Sequence, residues 1–178
     1  FPSHDHEELI EGYLGAYPNL KKWMELSKRN AQNKGYVSSE AGRVRHLPKV
    51  KEIYKVHGDR LMDMRYRAKM KKKFNKDYVQ TIYRDYKNGV NNSRNFCIQS
   101  MAASIVNRAA IAINRAFKRM NIDAWCCANI HDQIIVNVPK KDVEQCKKLV
   151  QYYMENTTKI SLDLKAPPCL SVNWRDGH

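Results

Sequence analysis

Apolar residues recur at helical spacing over most of this chain and switch to alternation at one place. From Asp5, a residue type that caps helices, to about position 34 the rhythm is helical, with Leu9, Ile10, Tyr13 and Leu14 on one face. Gly15, Tyr17 and Pro18 divide that stretch; Pro18 suits the first turn of a second helix carrying Leu20, Trp23, Met24 and Leu26, and Gly35 is placed to end it. Residues 35–48 read as two short extended pieces around a turn, and Asn88-Gly89 marks a further turn. Residues 91–120 then predict one long helix whose buried stripe is Ile98, Met101, Ala102, Ile105, Val106, Ala109, Ile113 and Phe117. Ala103, Ala110 and Ala112 add small residues that let another element approach. In residues 124–139 two β-rich arms meet at His131-Asp132, and the alternation of Ile134, Val136 and Val138 seats that hairpin on a core. Residues 140–156 read as an amphipathic helix with Val143, Cys146, Leu149, Val150 and Tyr153 inward. Leu162-Asp163-Leu164 and residues 170–174, ending at Trp174, read as short strands separated by Pro167-Pro168. The order predicts an α+β fold, an antiparallel sheet with helices on one side.

Charge adds a partner class. The 178 residues carry 32 Lys and Arg against 18 Asp and Glu, a formal net charge of +14, and 43% of them are hydrophobic, enough for a core. A polyanion is the expected partner, nucleic acid first and an anionic membrane surface second. Residues 43–90 alone hold fifteen Lys and Arg against five acids. There Lys69, Lys71, Lys72 and Lys73 are interleaved or flanked with Tyr54, Tyr66, Phe74, Tyr78, Tyr83 and Tyr86, so phosphate-neutralising and base-stacking side chains occur together. The plainer alternative is a solvated helical face whose tyrosines pack inward. No apolar run approaches the roughly 20 residues that span a bilayer. The start, Phe1-Pro2-Ser3-His4-Asp5-His6, lacks the order of a signal peptide and has no initiating Met, as expected of a fragment. Five cysteines without a C-x-x-C pair suit reduced thiols in an intracellular protein, and only His4-x-His6 and Cys126-Cys127 cluster, which argues against structural zinc.

Candidate chemistry centres on the hairpin. A carboxylate such as Asp132 on a rigid support suits a metal ligand or a general base, although Asp is also an ordinary turn residue. A His-Asp pair serves as the metal dyad of some phosphohydrolases, but on a helix with further His ligands, whereas β-formers bracket this one. Asn95 and Gln99, four apart, share a helix face and can aim two amides at one ligand.

Three pieces, in order, resemble the C-terminal part of family A DNA polymerases, the bacterial DNA polymerase I type. Tyr17-Pro18 followed by Gly35-Tyr36-Val37 and Gly42-Arg43-Val44-Arg45-His46-Leu47-Pro48 is similar to that family's G-Y-V and G-R-R-R-x-L-P run. Asn95-Phe96-Cys97-Ile98-Gln99-Ser100-Met101-Ala102-Ala103 is similar to its N-x-P-I-Q-G-T-A-A helix start, and Ile130-His131-Asp132-Gln133 to the V-H-D-E of motif C. The resemblance implies a palm-type antiparallel sheet with a central hairpin, long helices, and a helical basic N-terminal part. It divides the chain into a fingers-like segment (1–48), a basic lineage-specific insertion of the kind divergent phage enzymes carry (49–90), and a palm-like segment (91–178).

It also implies roles. Asp132 matches one of two aspartates that hold a pair of Mg²⁺ ions for nucleotidyl transfer from a dNTP. His131 matches a contact to the primer-terminal backbone. Asn95 and Gln99 match minor-groove contacts of primer-template DNA, which read acceptors common to all base pairs. Arg43 and Arg45 match phosphate holders near the template; Lys71, Lys72 and Lys73 are expected as basic contacts from the charge of their segment, not from the resemblance. Several positions depart from the family: Gln133 is neutral where Glu is usual, Asn91 stands where an Arg is expected, Cys97 replaces Pro, and Ser100 replaces Gly. Nothing in residues 1–16 resembles the other aspartate or the nucleotide-binding helix, which would precede Phe1. The expectation is a chain inactive without its N-terminal polymerase portion, a separate chain or part of a precursor, with a non-catalytic basic DNA- or RNA-binding module as the alternative.

Overall fold

A computed structural model describes residues 3–173, with side chains from Glu8 onward. The expected Asp5 cap, His4 and His6 side chains and Trp174 lie outside the described residues. The chain forms two compact units, Phe1–Ser100 and Met101–His178.

The first unit opens with helices α1 (Ser3–Ala16) and α2 (Pro18–Asn33), divided at Tyr17 with Pro18 in the first turn, as the sequence predicts. Gly35, at φ 76°, turns the chain out of α2 in a conformation that costs other residues a Cβ clash. Strands β1 (Tyr36–Ser38) and β2 (Val44–His46) pair antiparallel, with Val37 opposite Arg45. Helix α3 (Pro48–His57), a 3₁₀ turn (Gly58–Met62), α4 (Met64–Lys73) and the first part of α5 (Lys76–Arg119) complete the unit. Its core gathers Ala31, Val37, Val50, Leu61, Met70, Val79 and Tyr86. Segment 49–90 therefore supplies much of that core from its apolar stripe while its lysines face water. The expected basic N-terminal part does not begin at the N-terminus: residues 1–42 carry five Lys and Arg against six acids, and the excess of this unit lies in residues 43–90. Leu9, Ile10 and Tyr13 do share a face of α1, but the face is exposed.

No turn forms at Asn88-Gly89; α5 runs through it for 44 residues. The glycine answers a different need, because a Cβ there would run into Val50 Cγ2. Close approach of α3, not a positive φ, selects Gly89. Cys97 helps continuity, since the family's Pro would remove an N–H from the helix ladder.

The second unit packs the remainder of α5, the hairpin β3 (Trp125–Ile130) and β4 (Gln133–Asn137), a 3₁₀ turn (Lys140–Asp142) and α6 (Val143–Asn156) around Ile113, Phe117 and Cys146. Asn121, at φ 52°, ends α5 as the Ile122 N–H bonds back to the Phe117 carbonyl. The buried stripe begins later than predicted: Val106, Ala109, Ile113 and Phe117 are buried, whereas Ile98 and Ala102 are exposed and the buried positions near them are Ser100 and Ser104. Helix α5 holds an 18-residue window apolar enough to cross a membrane, which amends the expectation of no such run. Only 28% of that window is buried, while α5 contributes Val79, Tyr86 and Val90 to one core and Ile113 and Phe117 to the other.

The α+β architecture of a hairpin on long helices stands, but the sheets number two strands each. Neither 162–164 nor 170–173 forms a strand. Pro167 and Pro168 donate no ladder hydrogen bond, and Leu162 (74% exposed) and Val172 (96%) have no apolar surface to cover. The tail is held instead by Glu155, whose Oε1 accepts from the Ala166 N–H (3.1 Å) and Gln151 Nε2 (3.2 Å). These bonds hold the Glu155 carboxyl below its ordinary range. A depressed folded pKa gives stabilisation that is complete above the unfolded value and lost as pH falls through the folded one. The Ala166 amide proton resonance is expected to track that titration below the usual glutamate range, and Glu155→Gln to abolish the transition.

Candidate functional site

His131 and Asp132 form a two-residue turn between β3 and β4, closed by the Ile130–Gln133 pair. His131 has φ 54° and Asp132 does not share the positive φ, so the turn places a non-glycine residue on the side of backbone space that glycine favours. A left-handed non-glycine residue costs roughly 1–2 kcal/mol, so the hairpin holds an imidazole at the turn against backbone preference. Both side chains are exposed, and among the described residues Asp132 has no ion-pair or hydrogen-bond partner. The pair sits at a turn between two strands, so the helical phosphohydrolase arrangement is not met.

The support beneath the turn is specific. Ile134, Val136, Val138 and Cys126 face the core, as the alternation predicts. Cys127 is the extra residue of a β-bulge between Cys126 and Ala128, which shifts the register so that Asn129 stands opposite Ile134. Two asparagines of α5, seven residues apart, tie β3 down on either side of the bulge. Asn114 Oδ1 accepts the Cys126 N–H at 3.0 Å, and Asn129 Nδ2 donates to Asn107 Oδ1 at 3.4 Å. Ala110, between them, lets the Cys126 thiol reach its carbonyl at 3.8 Å, and burial pushes that thiol's pKa up. Of the small residues predicted to admit a neighbour, Ala110 does so here, whereas Ala102 is exposed. Asn114 has no sequence signal beyond its spacing from Asn107. Asn114→Ala should leave a half-buried N–H unpaired and lower stability by about 1–3 kcal/mol in thermal denaturation, with Asn114→Asp, which keeps the acceptor, recovering most of it.

Other predicted residues gather in the first unit. Asn95 and Gln99 are exposed on one face of α5, four residues apart. Arg43 and Arg45 are exposed on the β1–β2 hairpin, and the Arg45 guanidinium lies 6.0 Å from the Phe96 ring centre. The hairpin is tied to the same stretch of α5 through Cys97 Sγ to the Ser38 carbonyl (3.6 Å) and Ser100 Oγ to Ser39 Oγ (3.3 Å). Two of the departures from the family, Cys97 and Ser100, make these ties.

Lys71, Lys72 and Lys73 occupy the last turn of α4, exposed. The aromatic half of the expected stacking surface is corrected. Tyr86 is buried, donating to Asp59 Oδ1 (3.2 Å) and accepting from Gln32 Nε2 (2.7 Å), and its pKa is pushed up to about 12, first by burial. Tyr83 lies under the Arg67 guanidinium at 4.1 Å, Tyr66 meets His57 Nδ1 at 3.1 Å, and Tyr54 packs on the core. Only Phe74 and Tyr78, rings 5.9 Å apart and each about half exposed, remain beside the lysines. Helical packing claims tyrosines whose bodies are apolar. Among the described residues no group of three or more His, Cys, Asp or Glu is gathered that could hold a metal.

Comparison with known proteins agrees with this order of motifs. The chain is 27% identical over 170 residues to DNA polymerase I of Bacillus caldotenax, covering 95% of this chain and 16% of that protein. It is 26% identical over 168 residues to DNA polymerase I of Bacillus subtilis (94% and 16%) and 26% over 178 residues to that of Treponema pallidum (97% and 14%). The chain therefore spans about one sixth of the length of these relatives. Its fold is similar to the polymerase domain of Pol1 from M. smegmatis, solved in complex with DNA primer-template and dNTP, with a TM-score of 0.67, 19% identity, and coverage of 91% of this chain and 24% of that one. The profile of DNA polymerase family A matches residues 1–176, and the chain belongs to that family.

Proposed function

We propose that this chain is the segment of a template-directed DNA polymerase that seats the primer end and supplies one of two metal-binding carboxylates for nucleotidyl transfer. The observation that carries the reading is Asp132, exposed and unpaired at the turn of a hairpin anchored to α5 on both sides of its bulge. Primer-template DNA and a dNTP are the substrates, and the whole is a DNA-directed DNA polymerase acting inside the cell without a membrane partner.

The roles follow from chemistry. The Asp132 carboxylate presents hard oxygens suited to Mg²⁺. A bound Mg²⁺ pair supplies charge neutralisation at the reacting phosphate and activation of the primer hydroxyl. One carboxylate does not hold two ions, so the remaining ligands come from an N-terminal polymerase portion, and the chain alone is inactive. The exposed apolar residues Leu9, Ile10 and Tyr13 of α1 and Leu162, Leu170 and Val172 of the tail suit surfaces that such a portion covers. His131 donates to the primer-terminal phosphate. Asn95 and Gln99 read minor-groove acceptors, Arg43 and Arg45 hold template phosphates, and Lys71, Lys72 and Lys73, within the proposed 49–90 insertion, neutralise backbone charge. Gln133 leaves the turn without a second acid, so the demand on Asp132 is greater.

The test is nucleotide incorporation by the chain mixed with a family A N-terminal portion: activity in the mixture and none in either part supports the reading. His131→Gly separates fold from function there. Relief of the left-handed strain should keep or raise stability, by up to about 1–2 kcal/mol, while the KM for primer-template rises several-fold. The exposed Lys71–Lys73 turn beside Phe74 and Tyr78 favours a second reading, a non-catalytic basic nucleic-acid module, which predicts salt-sensitive binding lost with those lysines and no activity in any mixture.

A further inference from the structure

We infer that the groove between α5 and α6 of the second unit is a phosphate-backbone site for a single nucleic-acid strand, separate from the hairpin turn. The groove is an open depression of about 470 Å³ lined by Arg108, Arg115 and Arg119 of α5, Tyr153 of α6, Thr157 at the end of α6, and an apolar floor that includes Ile111. The arginines stand at i, i+7 and i+11, one helix face, about 10 Å and about 6 Å apart along the axis. All three are exposed, and no acidic residue lines the groove. Among the described residues none of the three has an ion-pair partner, and neither Arg108 nor Arg115 has a hydrogen-bond partner. The Arg119 guanidinium is instead oriented by donating Nη2–H to Tyr153 Oη at 3.1 Å.

Three guanidinium groups without an ion-pair partner among the described residues line one concave surface, one of them already fixed, and an anion there would relieve their mutual repulsion. Their planar donor forks match phosphate oxygens. A strand rather than an isolated phosphate fits the extended row. It also fits the exposed ring of Tyr152, 5.4 Å from Tyr153 and nearly perpendicular to it, which offers a face for an unpaired base. The hairpin uses a different face of α5, the one with Asn107, Ala110 and Asn114. Arg108, Arg115 and Arg119 take no part in the roles assigned to Asp132 or His131.

The experiment is fluorescence-anisotropy binding of a labelled dT12 oligonucleotide to the 178-residue chain across a salt series, without metal. Arg115→Gln/Arg119→Gln is expected to weaken binding about tenfold or more and to flatten the log–log salt slope by about 1.4, the loss of two single-strand phosphate contacts. The control is Lys147→Gln/Lys148→Gln, the same charge change at exposed α6 positions outside the groove, expected to cost less than about threefold. Arg115→Lys/Arg119→Lys keeps the charge and serves if the Gln pair lowers the melting temperature; loss of the donor fork is expected to weaken binding about three- to fivefold. Equal losses in the Gln pairs mean bulk charge and overturn the site, as does unchanged binding in either arginine pair. Inorganic triphosphate or poly-glutamate displacing the oligonucleotide as well as unlabelled dT12 does, at equal charge, overturns the assignment to a strand. Because the assay needs neither metal nor extension, its failure leaves the polymerase reading standing, and the reverse holds.

Discussion

Asp132→Ala is expected to reduce nucleotide incorporation by at least about a thousand-fold in an enzyme assembled from this chain and an N-terminal polymerase portion, with little change in folding. Replacing single preorganised electrostatic groups in other active sites costs about a hundred- to a thousand-fold, and a carboxylate that positions two cations carries more than one hydrogen-bond donor does. Gln133 removes the neighbouring acid that could compensate. Stability is spared because Asp132 is exposed and has no partner among the described residues. Asp132→Asn should lose as much activity as Ala, since it keeps the shape and removes the charge, and metal-free binding of primer-template should change less than about threefold in both. Activity within tenfold of the parent in Asp132→Ala would remove the carboxylate from the chemistry.

The largest effect on stability is expected at Gly89. Gly89→Ala gains the intrinsic helix preference of alanine, about 1 kcal/mol, yet its new Cβ runs into Val50 Cγ2. Val50 is 2% exposed and β-branched, so it has neither room nor a free rotamer with which to yield. The clash dominates, and a net loss of about 1–3 kcal/mol follows, read as a fall in melting temperature of roughly 2–4 °C per kcal/mol. Gly89→Ala/Val50→Ala should show a coupling that returns part of the loss. A single variant as stable as the parent would mean that α3 and α5 are not in close approach.

Gly89 also shows where sequence reading reached its limit. Asn-Gly signals a turn because glycine accepts positive φ, but glycine equally permits backbone contact, and only the neighbour across the gap distinguishes the two uses. The hairpin was legible because alternation at Ile134, Val136 and Val138 has one structural solution beside a two-residue turn. The bulge at Cys127 was not, since a single extra residue leaves no periodic trace, and with it went the tethers from Asn107 and Asn114. Tyrosines misled for a related reason: Tyr54, Tyr66, Tyr83 and Tyr86 carry apolar rings that helical packing claims, whatever the charge of their neighbours. At the tail, Leu162 and Val172 have a strand's composition without an edge to join. The residues expected to carry function were legible as types and order, while what holds them in place had to be seen.

The central claim, that the turn at Asp132 is one half of a two-metal site, is tested most directly by counting ions. Mn²⁺ titration followed by electron paramagnetic resonance, on the assembled enzyme with a chain-terminated primer-template and dNTP, should give two tightly held ions per complex. The Asp132→Ala assembly should hold one or none; two ions held equally tightly in both would contradict the account.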